Sequence, residues 1–130
     1  MGIFSIFDIW VIEMENKASN IQIWQYITAI LLIFLLGYHL LQRVPWLFNV
    51  STFDQTLTSA FVYNQYKEAG WALLLLAWVA LFHGLNGVRG MLFELHQGKT
   101  YNTIINVLFW LVFIVFAAIA ALTIVKLPAY

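Results

Sequence analysis

The chain has 130 residues, 63% of them hydrophobic and only 9% charged, with six basic side chains balanced by six acidic ones. A soluble domain carries about 25% charged residues, so this composition points to lipid as the solvent. The even charge balance excludes the basic surface that nucleic-acid binding requires. Cysteine is absent, which excludes disulfides, thiolate-held clusters and thioether-attached cofactors.

Residues 1–20 read as an N-terminal segment. Its apolar stretch from Ile3 to Met14 is interrupted by Asp8 and Glu13 and is too short to cross a bilayer. It is expected to lie in the interface as an amphipathic helix, or to dock on a partner. It has no basic start, no small-residue cleavage site and no Arg-rich transit composition, which favours a prokaryotic cell membrane.

Three apolar runs follow, at 21–44, 70–95 and 102–126. Each exceeds the ~20 helical residues that cross a hydrocarbon layer. Backbone groups in lipid must bond internally, so all three are expected to be helices. Trp24, Tyr26, Trp46, Trp71 and Tyr101 fall near their ends, where amphipathic rings settle at the interface. Pro45 closes the first helix, because the residue before a proline disfavours helix. The connection over 45–69 mixes polar and aromatic residues and is expected to cap one membrane face, with a short helix near Leu57–Tyr66. Gly98-Lys99 marks the turn into the third helix. The reading is a single membrane domain, an all-α integral membrane protein with three transmembrane helices. Lys17, Arg89 and Lys99 share one side, and Arg43, Lys67 and Lys126 the other. Charge therefore does not set the orientation.

The second helix carries His83 in the run Leu81-Phe82-His83-Gly84-Leu85-Asn86-Gly87-Val88-Arg89-Gly90. An ionisable residue inside a span is a functional candidate by default. At helical spacing its face holds Ala80, Gly87, Gly90 and Glu94. Such a small-residue stripe admits either a closely packed neighbouring helix or a flat ligand anchored by the imidazole. Arg89 keeps its proton and so requires an anionic partner, for which a haem propionate or Glu94 would serve. His39, after Gly37-Tyr38, is a second candidate ligand. His96 sits in a turn and reads as solvated or partner-facing. Counted from Pro45 and Gly70, the two inner histidines differ in depth by roughly 10 Å at 1.5 Å per residue. They are therefore poor co-ligands of one iron. Two haems would each take a second axial ligand from another chain.

The tract resembles the membrane-anchor subunits of succinate dehydrogenases and fumarate reductases. Their second helix carries a histidine haem ligand followed by Gly four residues on, often Arg six on and Asp eleven on. Here these read His83, Gly87, Arg89 and Glu94. Glu94 departs from Asp but keeps its charge. Leu95 stands where some members place a quinone-contacting tyrosine. In the diheme branch, histidines on the first and second helices serve separate haems, as His39 and His83 would here.

The resemblance implies a heterotetramer of a flavoprotein, an iron–sulfur subunit and two membrane anchors. This chain would be a non-catalytic subunit forming half of a helical bundle that a second anchor completes. It would bind one or two haem b groups, using His83 and His39 as axial ligands with Gly37, Asn86, Gly87, Arg89 and Gly90 around them, and a quinone would bind nearby. Arg89 and Glu94 would face the quinone or the iron–sulfur subunit, with the N-terminus cytoplasmic. Two other readings stand beside it: a haem-free anchor of the same kind of complex, and a small transporter or assembly subunit with Arg89 and Glu94 on a substrate path.

Overall fold

The computed structural model describes residues 6–126, with side chains from Ser19 onward. Helix α1 runs Ile6–Leu41, α2 Ser59–Leu95 and α3 Lys99–Val125. Three helical stretches, Ser19–Leu41, Ser59–Leu95 and Lys99–Val125, are long and apolar enough to cross a membrane. The chain is thus all-α with three spans, as its apolar runs predict.

Polarity is distributed as lipid dictates. Ile33, Phe34 and Trp71 are 71%, 72% and 68% exposed, whereas Thr28, Thr56, Gln65 and Asn86 are buried. Lipid solvates the apolar rings and aliphatic chains at no cost. Polar side chains find partners between helices or on backbone carbonyls of their own segment.

The helix ends differ from the sequence expectation in three places. First, α1 has no break near residue 20. It continues back to Ile6, so the N-terminal segment and the first span share one helix. At 36 residues it is about 54 Å long, well beyond a hydrocarbon layer of about 30 Å. Residues 1–5 and the side chains up to residue 18 lie outside the described residues. So does Leu127-Pro128.

Second, α1 stops at Leu41 rather than at residue 44. The Arg43 and Val44 amides bond three residues back, to Leu40 and Leu41, tightening the last turn. Val44 is then extended ahead of Pro45, which opens a 3-10 turn over Pro45–Leu47.

Third, the connection is shorter than expected. A 3-10 turn at Phe53–Leu57 is followed directly by α2, whose first turn is capped by the Thr58 hydroxyl accepting from the Phe61 amide at 3.4 Å. The connection is pinned by Arg43, which donates to the Thr56 carbonyl at 2.6 Å. Non-helical torsions at Ala69 (φ −126°, ψ 22°) divide α2 into a short leading piece and the spanning piece. The short helix expected near Leu57–Tyr66 is therefore the leading piece of α2.

Helix α2 lies between the other two. It runs antiparallel to α1, with Thr28 opposite His83 and Ile21 opposite Asn86. It meets α3 through aromatic edges, chiefly Phe82 against Phe109 and Phe113 at 5.5 and 5.7 Å between centroids. The Trp78 indole adds a hydrogen bond to the Ala117 carbonyl at 3.0 Å.

Candidate functional site: a histidine held by a directed polar chain

The α1–α2 contact is polar where His83 lies. His83 Nδ1 is 2.9 Å from the Thr28 hydroxyl, and Nε2 is 3.2 Å from the Gln25 amide nitrogen. Gln25 Oε1 accepts from Asn86 Nδ2 at 2.9 Å, and the same Asn86 amino group donates to the Ile21 carbonyl at 2.9 Å. Asn86 Oδ1 accepts from Arg89 Nη2. Arg89 Nη1 donates to Asn106 on α3 at 3.4 Å, and its guanidinium lies 4.1 Å above the Phe109 ring.

The direction of every bond in this chain follows from its ends. A guanidinium only donates, so the Asn86 atom facing it is the carbonyl oxygen. The Asn86 amino group then points at Gln25, which must answer with its own oxygen. That turns the Gln25 amino group toward His83 Nε2, which must accept. At the other end, the Thr28 hydroxyl spends its single proton on the carbonyls of Trp24 (2.7 Å) and Gln25 (3.2 Å). Toward His83 the hydroxyl can only accept, so Nδ1 carries the hydrogen. Both ends assign the same state: neutral imidazole, protonated at Nδ1, with the Nε2 lone pair accepting from the Gln25 amide.

The small-residue stripe has two fates. A Cβ on Gly87 would stand 3.2 Å from the Gln25 amide, and one on Gly90 would stand 3.5 Å from Ile21. These two glycines admit α1. Gly84 and Gly37 have no neighbour within 4 Å and face open space. Gly84 is exposed, as are Ala77, Ala80, Val88 and Met91 on the same side of α2. His83, half-buried, sits at the edge between α1 and this open face.

His39 is half-buried in the last turn of α1, with Nδ1 buried and unpartnered. It lies eleven residues beyond Thr28, the residue level with His83, so the two histidines are roughly 16 Å apart along the helix. The separation exceeds the sequence estimate because Pro45 and Gly70 do not share a level: α2 starts at Ser59, well before Gly70. Glu94 and His96 are exposed. The His96 ring packs edge-on against Tyr101 at 4.9 Å. Five residues on a helix turn about 140° from one another, and Glu94 points away from Arg89, whose partners are neutral.

Sequence reading missed Gln25 and Thr28. They stood in the sequence as polar residues three apart in an apolar run, on one face with Ile21. That face is the one His83 meets. Among the described residues no three His, Cys, Asp or Glu side chains converge. The site therefore offers single imidazoles among the described residues.

No curated protein and no solved structure matches the chain. A family model does, the succinate dehydrogenase/fumarate reductase transmembrane subunit, over residues 12–124. That match spans all three helices and the His83 chain, and the protein belongs to this family of membrane subunits.

Proposed function

We propose that the chain is the haem b-binding anchor of a succinate:quinone oxidoreductase, passing electrons between the iron–sulfur subunit and membrane quinone. The observation that carries this reading is the fixed tautomer of His83. A histidine ligand presents a lone pair on one nitrogen while the other nitrogen donates to a fixed acceptor, which orients the ring and raises its basicity. Thr28 is that acceptor, and Nε2 is the ligating nitrogen. Nε2 would hold a haem iron only once the Gln25 amide releases it. Bound haem supplies a one-electron carrier; the chain's own work is ligation, orientation and exclusion of water.

Gly84 leaves room for a flat macrocycle on the open side of α2, and a second anchor approaching that side would supply a further histidine to hold it. His39, with open Gly37 two residues before it, is assigned to a second haem at its own level. Arg89 acts on His83 through Asn86 and Gln25, fixing their amide orientations. Glu94, exposed near the end of α2, is assigned to the iron–sulfur subunit and the quinone, with the flavoprotein beyond. We place the complex in a prokaryotic cell membrane with the N-terminus cytoplasmic.

A haem-free anchor is the second reading, and one observation favours it: both His83 nitrogens already have partners within the chain. A reduced-minus-oxidised spectrum with haem quantification on the intact complex decides between them. A b-type signal at stoichiometric haem supports the first reading, and its absence establishes the second. Thr28→Val tests the tautomer. It keeps the side-chain shape and removes the acceptor, so haem affinity should fall about 10–100-fold, the usual effect of losing a metal ligand's supporting bond. Unchanged affinity would show that Nδ1 needs no fixed partner.

A further inference from the structure

A cavity of about 660 Å³ opens between the three helices. That size is within the roughly 300–1,000 Å³ of small-molecule sites. Its wall is mainly aromatic, from Trp24, Trp78, Phe82, Trp110 and Phe113. Asn20, Arg89 and Asn106 supply polar groups toward one end, while the exposed Leu31 and Leu75 flank the other. On α2 the lining runs from Leu75 to Phe93, so the cavity is about 27 Å long, with Arg89 fourteen residues from Leu75. Its polar end is six residues, or roughly 9 Å, from the end of α2 at Leu95. The cavity thus runs from near one membrane face into the hydrocarbon.

Charge is unbalanced at the polar end. Among the described residues the hydrogen-bond partners of Arg89 are the neutral Asn86 and Asn106, and its Nε is buried without a partner. A guanidinium in lipid calls for an anion with oxygen acceptors. The cavity is also on the far side of α2 from Gly84, because Phe82 and Gly84 are about 200° apart around the helix. A group bound beside the open face at Gly84 does not reach it, and a neutral quinone brings no charge.

We propose that this cavity holds one anionic glycerophospholipid, with its phosphodiester on Arg89 and an acyl chain along Phe82, Phe113 and Leu75. The polarity gradient, the length and the position near one face all match a lipid of that leaflet. The headgroup oxygens accept from the guanidinium Nη hydrogens that Asn86 and Asn106 do not use, and the aromatic wall packs the chain.

The test uses the intact complex, captured through a tag on this chain and stripped of lipid in detergent. It is then titrated with phosphatidylglycerol, phosphatidylcholine or a short-chain quinone, and bound molecules are counted by native mass spectrometry. Wild type should retain one phosphatidylglycerol. Arg89→Gln should weaken retention about tenfold or more, the loss of a charge-assisted bond, while Arg89→Lys should stay within a few-fold. Leu75→Trp, which fills the apolar end, should expel the lipid and leave haem content as in wild type. The proposal is overturned if wild type retains no phosphatidylglycerol, or if Arg89→Gln and Leu75→Trp retain it equally well. Equal affinity for phosphatidylcholine, or displacement by the quinone, overturns it too.

Discussion

His83→Ala is expected to remove one b-type haem from the purified complex, seen as a lost component of the reduced-minus-oxidised spectrum and a matching fall in haem content. The substitution deletes Nε2, the nitrogen assigned to the iron, which here accepts from the Gln25 amide. It also frees the Gln25 amide, while Thr28 keeps its bonds to the Trp24 and Gln25 carbonyls. α1 therefore retains its helix, and the hole has the shape of an imidazole. Added imidazole should restore part of the signal, which a misfolded protein would not do. An unchanged spectrum would remove His83 from the ligand set. His39→Ala should abolish a different haem component, given the roughly 16 Å that separates the two levels. If the haem count stays the same, His39 is not a ligand.

The second large effect belongs to Asn86, which is fully buried and bonds to Ile21, Gln25 and Arg89. Asn86→Leu leaves a carbonyl, an amide oxygen and a guanidinium without their partner. Interhelical hydrogen bonds in bilayers average about 0.6 kcal/mol and reach about 1.7. Three of them, one made by a cation, place the expected loss at about 3 kcal/mol. Reversible unfolding in mixed micelles measures it. The Gln25 amide loses its orientation in the same step, so the haem signal should weaken with stability. A loss below about 0.5 kcal/mol, the usual size for an unremarkable surface change, would mean that Asn86 does not join α1 to α2.

How much of this was legible in the sequence depends on what each feature needs. The three spans were legible because lipid imposes length and polarity on a single segment at a time. His83 was legible as an inward polar group for the same reason. Its partners were not, because Gln25 and Thr28 meet it only through the rotation and level of α1 against α2, which no single segment encodes. The stripe at Gly87 and Gly90 allowed either a helix or a ligand, and the bulk of Gln25 and Ile21 decided for the helix. The start of α2 was hidden by the polar residues of 59–68, which do not read as a span. A cap at Thr58 and a break at Ala69 make them the leading piece of α2.

The chain of bonds from Arg89 to Thr28 also sets how the two interfaces of α2 respond to stress. Toward α1, every bond joins a fixed donor to a fixed acceptor. A slip of one residue moves Gln25 and Thr28 about 1.5 Å along and 100° around, and every bond fails together. Lipid offers no substitute. That joint has discrete settings, like teeth in a rack. Toward α3 most of the contact is aromatic edges around Phe82, which change in energy gradually as the rings slide, with two hydrogen bonds beside them, Trp78 to Ala117 and Arg89 to Asn106. The α1–α2 joint is therefore the more sharply registered of the two.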